Sequence, residues 1–97
     1  MHIKNVLLAT LLFSQIAHAN AQCVSEELKF TFKEIELKAA FGILADFSGN
    51  KLTIDQSIAW SGPMNFECTP WKKVAQDLAN KHKLTLQIKN GTMYISK

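Results

Sequence analysis

Beyond the first 21 residues the chain carries a single histidine, His82. A general base needs a proton donor or nucleophile held beside it, and no Cys or Ser stands at a suggestive spacing from His82. Ser48, Ser57, Ser61 and Ser96 fall in expected loops or at an edge, without a nucleophile-elbow pattern. The carboxylates are scattered over polar faces. There is no glycine-rich phosphate loop and no metal-ligand spacing. His82 falls near the end of an expected helix, where a cation suits the helix dipole and the surface. The expectation is a protein without catalysis, cofactor or metal.

The cysteines carry more information. Cys23 and Cys68 are the only two, and with His82 they cannot complete a tetrahedral metal shell. In an oxidising compartment they pair. They flank two expected strands, so they meet if those strands are neighbours. The loop they close is long, and the chain-entropy estimate of its worth is about 4 kcal/mol. A small domain has a thin core and gains much from such a staple.

The start of the chain explains the oxidising context. His2 and Lys4 form a short basic region, and an apolar run follows from Val6 to Phe13. That run is too short to span a bilayer. Ala19 and Ala21 offer small residues for a signal peptidase. The expectation is a signal peptide over 1–21, with cleavage after Ala19 as the alternative, and a domain over 22–97. A retained anchor is the competing reading. Gln22, directly before Cys23, is not the small residue that lipoprotein processing needs.

The formal charge is +3 and every basic residue is Lys. The acidic residues concentrate before residue 56 and the lysines after it. This asymmetry makes either a solvated surface or a basic face that steers an acidic partner. Nucleic acid is not the expected partner, because there is no arginine and no evident stacking platform.

The elements that position these groups read as follows. Residues 28–32 alternate as a strand, with 33–35 as a connection. A helix covers about 36–47, ended by Gly49. Its girth is apolar almost all round, which predicts cover on more than one side, between two layers. A strand at 51–54, a loop at 55–62 and a strand at 64–68 follow. Thr69 reads as a helix cap and Pro70 as the first helical residue. Trp71, Val74, Ala75, Leu78 and Ala79 form the buried stripe of a second helix that ends near 81. Lys72 and Lys73 lie on its outer face. Residues 83–88 form a strand, Asn90-Gly91 a tight hairpin turn, and 92–96 the last strand. Asn90-Gly91-Thr92 also matches a glycosylation sequon, but the turn suffices to explain it. The fold class is α+β, in the order β-α-β-β-α-β-β.

Two β-α-β units share one plan. Phe32 to Leu37 has the spacing of Phe66 to Trp71, and the stripes that follow keep that register. The first copy has two more residues before its second strand, on the reading that residues 51–54 match 83–86. Either a true repeat or the general likeness of β-α-β units accounts for this.

These motifs resemble a known family. Phe30-x-Phe32, Ile35-x-Leu37-x-x-Ala40-Phe41, Leu44-Ala45 and Ser48-Gly49-Asn50-x-Leu52-x-Ile54-Asp55 come first. Phe66, Pro70-Trp71-x-x-Val74-Ala75-x-x-Leu78, Leu84-Thr85-Leu86 and Thr92-Met93-Tyr94-Ile95-Ser96 complete the pattern. In order and spacing the chain resembles the short N-terminal domain (STN, or N0-like) shared by secretins and TonB-dependent receptors, and it looks most like the copies in type IV pilus secretins. The resemblance covers about 28–96. It implies two helices sandwiched between a two-stranded and a three-stranded sheet. It also implies a periplasmic protein-binding module with no chemistry of its own. The cysteine pair is not part of that pattern, and the expectation is a stand-alone domain without a secretin pore or receptor barrel.

The expected function is therefore an adaptor or accessory of an outer-membrane secretin, type IV pilus or TonB-dependent receptor system. The expected place is the periplasm, at or near the outer membrane, and the expected partner is an envelope protein. The alternative is a small inhibitor or immunity protein that blocks an envelope enzyme. The candidate binding residues are Trp60, Lys72, Lys73, Thr92 and Tyr94. Trp60 lies in a loop, as a lid over the core or as an interaction anchor. Thr92 and Tyr94 lie on the last strand, expected to have one side unpaired and open to an extended partner.

Overall fold

A computed structural model describes residues 23–97, and the expected signal peptide and Gln22 lie outside the described residues. The elements are β1 (Glu27–Glu36), α1 (Leu37–Ser48), β2 (Lys51–Ile54), β3 (Ser61–Pro70), α2 (Trp71–Lys81), β4 (Thr85–Lys89) and β5 (Thr92–Ser96). The order is β-α-β-β-α-β-β and the class is α+β. β1 and β3 form an antiparallel pair. β2, β5 and β4 form a second sheet in that order, with β2 parallel and β4 antiparallel to β5. The helices lie between the sheets: α1 touches β1 and β2, and α2 touches β3 and β4. No helix among the described residues is long and apolar enough to cross a membrane.

The core is where the two apolar stripes meet. Leu37, Ala40, Phe41, Leu44 and Ala45 of α1 are buried, as are Trp71, Val74, Ala75, Leu78 and Ala79 of α2. Phe30 reaches them from β1, and Met93 and Ile95 from β5. Phe30 meets Phe32 edge-on, with ring centroids 4.9 Å apart. Alanines at the helix contact let the backbones approach closely.

The strands are longer than their alternation suggests, because both contain bulges. The β1–β3 register slips between Leu28 and Phe30 and again between Phe32 and Ile35. The first slip puts an extra residue on β3 and the second puts one on β1, and each breaks the alternation that marks a strand in sequence. Residues 33–35 are therefore part of β1 rather than a connection. β3 likewise begins at Ser61 and runs to Pro70.

That extension corrects the reading of Thr69 and Pro70. Pro70 pairs with Glu27 in the ladder and is not the first helical residue. The Thr69 hydroxyl donates to Glu67 O at 2.9 Å and does not cap α2. The first-turn N–H of Trp71 instead donates to Glu26 O at 2.9 Å. Helix α1 is treated the same way: Leu37 N–H donates to Trp60 O at 2.8 Å.

This correspondence runs from β1 to the start of β4 at a constant offset. Thr31 and Asn65, 34 residues apart, are ladder partners, and the Thr31 hydroxyl donates to Asn65 Oδ1 at 2.9 Å. The helix starts Leu37 and Trp71, and the acceptors Glu26 and Trp60, share that offset. So do the helix ends. Asn50 N–H donates to Ala45 O and Leu84 N–H to Ala79 O, both at 2.8 Å. Gly49 and Lys83 are the left-handed residues that allow these paired closures, at φ 79° and 58°. The units are thus related by a pseudo-two-fold axis near the Thr31–Asn65 pair. The expected two-residue insertion before β2 does not exist. Lys83 and Leu84 close α2 instead of opening β4, which starts at Thr85, 34 residues after Lys51.

The last strand is also placed differently from expectation. β5 is the middle of its sheet, paired on both sides. A strand bonded to β2 and β4 has no free row of main-chain groups.

Candidate interaction surfaces

The disulfide is formed. Cys23 and Cys68 are bonded, with Cα atoms 5.1 Å apart. Cys68 sits in the bulge of β3 with φ 34°, which turns its side chain toward the segment before β1. That segment folds back over the start of α2. Glu27 N–H donates to Val24 O, and Trp71 Nε1–H donates to Glu26 Oε1, each at 3.0 Å. The disulfide thus ties Cys23 to β3, and the two hydrogen bonds from Trp71 to Glu26, from its N–H and from its Nε1–H, hold the segment against the start of α2.

Trp60 behaves as a lid. It is half-buried and packed against the core. Its ring lies over Gly62, where an added Cβ would be 2.5 Å from the indole. The same ring meets that of His82, centroid to centroid 4.5 Å. Pro63, Met64, Phe66 and Leu78 line the shallow hollow beside the pair.

His82 corrects an expectation. It follows α2, but it is not a surface cation completing the dipole. Its Nε2 is buried with no hydrogen-bond partner among the described residues. Desolvation, helped by the Lys81 charge, lowers its pKa below the ordinary 6.5. The neutral ring is the form that packs under Trp60. Tertiary packing against the loop before β3 overrides the helix-end argument.

Lys72 and Lys73 stand on the outer face of α2, as expected. Lys73 Nζ is 3.0 Å from Asp77 Oδ2, one turn on. Lys72 Nζ lies 5.9 Å from the centre of the Trp71 ring, within cation–π range. With Gln76 and Asp77 they form one wall of a groove whose other wall is Leu86 and Ile88 of β4. β4 is an edge strand, so this groove runs beside open main-chain groups.

Thr92 and Tyr94 do not provide the edge expected of them. Thr92 pairs with Lys51 and Lys89, and Tyr94 with Thr53 and Gln87. Only the Tyr94 ring is available, half-exposed on the outer face of the sheet. The five candidate residues therefore belong to three separate places: the Trp60 lid, the α2–β4 groove, and the outer face of β5.

A fourth surface escaped the sequence reading. α1 is not covered all round. Ile43 and Phe47 are 40% and 46% exposed, and Ala39 joins them on the outer face. Spacing of four residues puts the three in one row. The apolar girth of α1 was the available signal, and it pointed to cover rather than to a bare face.

No protein-family model matches the chain, and no curated protein matches it.

Proposed function

We propose that this chain is a non-enzymatic periplasmic protein-interaction module, an adaptor or accessory of an outer-membrane secretin, type IV pilus or TonB-dependent receptor system. The observation that carries the reading is the architecture. Two helices lie between a two-stranded and a three-stranded sheet in the order β-α-β-β-α-β-β, the arrangement implied by the resemblance to the STN domain. The apolar leader and the disulfide support an oxidising envelope compartment. The α2–β4 groove supports a binding role, since a lysine wall beside an open strand edge suits an extended acidic segment.

A second reading has its own support. A small domain stapled by a disulfide, with lysines along a groove, suits a periplasmic inhibitor or immunity protein that occupies an acidic enzyme cleft. Capture from envelope extracts, with the exported protein as bait, separates the two. Recovery of secretin, pilus or receptor components supports the adaptor. Recovery of a single hydrolase whose activity the protein blocks supports the inhibitor. Reversing Lys72 and Lys73 to Glu abolishes the salt-sensitive part of that binding if the groove is the interface.

A further inference from the structure

The three-stranded sheet has two outer edges, and the chain treats them differently. Lys51 N–H donates to Gly91 O at 2.8 Å, and Asp55 N–H donates to Ile95 O at 3.0 Å. Alternate residues of a strand turn their main-chain groups to opposite sides. Met93 and Ile95 therefore face β2, while Thr92, Tyr94 and Ser96 face β4. Their ladder partners Lys89, Gln87 and Thr85 face back toward β5. That leaves the N–H and C=O of Leu86 and Ile88 pointing out of the sheet. On β2 the same alternation leaves Leu52 and Ile54 pointing out at the other edge.

These two pairs are equivalent by the offset of 34 residues that relates Thr31 to Asn65. The β2 edge is capped from within. Gln56 Nε2–H donates to Ile54 O at 3.1 Å, and Lys38 Nζ donates to Gln56 O at 3.3 Å. The residue at the Gln56 position of the second half is Asn90, which is spent in the hairpin turn at φ 51°. Among the described residues no side chain bonds to the main chain of Leu86 or Ile88. One edge is closed and the other is presented.

The surroundings of the β4 edge select what it takes. A row of main-chain donors and acceptors is matched by another extended strand. Inward side chains of an added strand lie over Leu86 and Ile88, the second 39% exposed, and against Lys72, Lys73 and Gln76 of α2. Lys72 has no ion-pair partner among the described residues. An apolar residue thus covers Ile88, and carboxylates meet the lysines. A second copy of this chain is a poor match. Joining β4 to β4 brings the two lysine walls together, and β4 itself carries Lys89 and no acid.

We propose that the α2–β4 edge binds a partner protein by strand addition. An extended segment of mixed apolar and acidic residues bonds to Leu86 and Ile88 and becomes the fourth strand of the sheet. This binding mode rests on the reading of the chain as an interaction module, and it names what the groove takes.

Amide hydrogen exchange and NMR of the exported protein test it, with a short peptide of alternating Glu and Val as the probe at low ionic strength. The expected result is slowed exchange and shifted amide signals at Leu86 and Ile88. Thr85 and Gln87, already bonded to β5, stay slow before and after. A peptide of alternating Lys and Val binds at least about tenfold more weakly, and Lys72→Glu with Lys73→Glu removes that preference. Ile88→Pro deletes one edge donor and no ladder bond, and weakens binding about fivefold or more. The exchange pattern of the parent decides the matter even where Ile88→Pro does not fold. Slow exchange at Leu86 and Ile88 in the free protein at every dilution overturns the proposal. Slowing that needs only higher protein concentration gives the edge to a second copy and overturns it too. So does peptide binding that leaves Leu86 and Ile88 unchanged, or no binding of either peptide. Envelope capture is scored separately. Strand addition without any captured secretin, pilus or receptor component refutes the adaptor reading alone. A captured component that leaves Leu86 and Ile88 in fast exchange refutes strand addition alone.

Discussion

At Trp60 and His82 two rings share one contact, which shuts the imidazole Nε2 from water. The folded-state pKa of His82 lies below its ordinary 6.5 because of burial, with Lys81 adding repulsion. As pH falls through 6.5, the unfolded chain takes up a proton before the folded one. Stability present above that pH is therefore lost progressively toward the folded-state value. Melts between pH ~7.5 and ~5 read this, with Trp fluorescence following the lid. The expected result is a falling midpoint that His82→Gln flattens. A second acid-sensitive group acts lower. The Asp55 carboxylate accepts from the Ser57 hydroxyl at 2.7 Å and the Ser57 N–H at 2.9 Å, which holds its pKa below 3.8. Its contribution is present above 3.8 and lost as pH falls beneath that value. Gly62→Ala tests the lid by sterics alone: the new methyl displaces the indole, exposing His82 and removing most of the pH dependence.

Trp71 is a residue whose role grew in the structure. It is 7% exposed, and its indole N–H is bonded to Glu26. Truncation to Ala removes a large buried ring and leaves the Glu26 carboxylate without its donor. The expected cost is about 3–5 kcal/mol, a large part of a small domain's stability. Chemical denaturation measures it, and an unchanged midpoint excludes the buried position.

Among the elements, the two helix ends make a controlled comparison. Both close with the same hydrogen bonds, but one uses Gly49 and the other Lys83 at φ 58°. A left-handed conformation costs a non-glycine residue about 1 kcal/mol, partly offset by the larger unfolded-state entropy of glycine. Lys83→Gly is expected to raise stability by up to about 1 kcal/mol, whereas Gly49→Lys lowers it. Strand β5 gives the opposite kind of test. As the middle strand it uses its main-chain groups on both sides. Proline at Tyr94 removes a donor from the sheet centre and is expected to prevent folding, measured as loss of cooperative unfolding.

For the whole molecule the disulfide links the first described residues to the β3 bulge across 45 positions. Its constraint on the unfolded chain is worth about 4 kcal/mol on the entropy scale. Reduction, or replacement of both cysteines by Ser, is expected to lower the unfolding midpoint and to free residues 23–26 from α2. Hydrogen exchange at Trp71 N–H reports the second effect directly, since its acceptor is Glu26 O.

Local periodicity and turn chemistry were enough for the element order, the two buried helix stripes, the Gly49 ending, the Asn90-Gly91 turn and the cysteine pair. Each depends on neighbours within a few residues, or, for the cysteines, on having no other partner. The bulges hid the true lengths of β1 and β3, because an extra residue inverts the alternation beyond it. Tertiary structure alone decided what depends on distant partners. β5 is last in sequence but central in space, since β2 returns parallel beside it from the other half of the chain. His82 became a half-buried ring with its Nε2 shut from water because Trp60, from a loop 22 residues earlier, lies against it. The outer face of α1 stayed bare because only two sheets and one helix surround it, and hydrophobicity by itself does not say how many neighbours a helix will find.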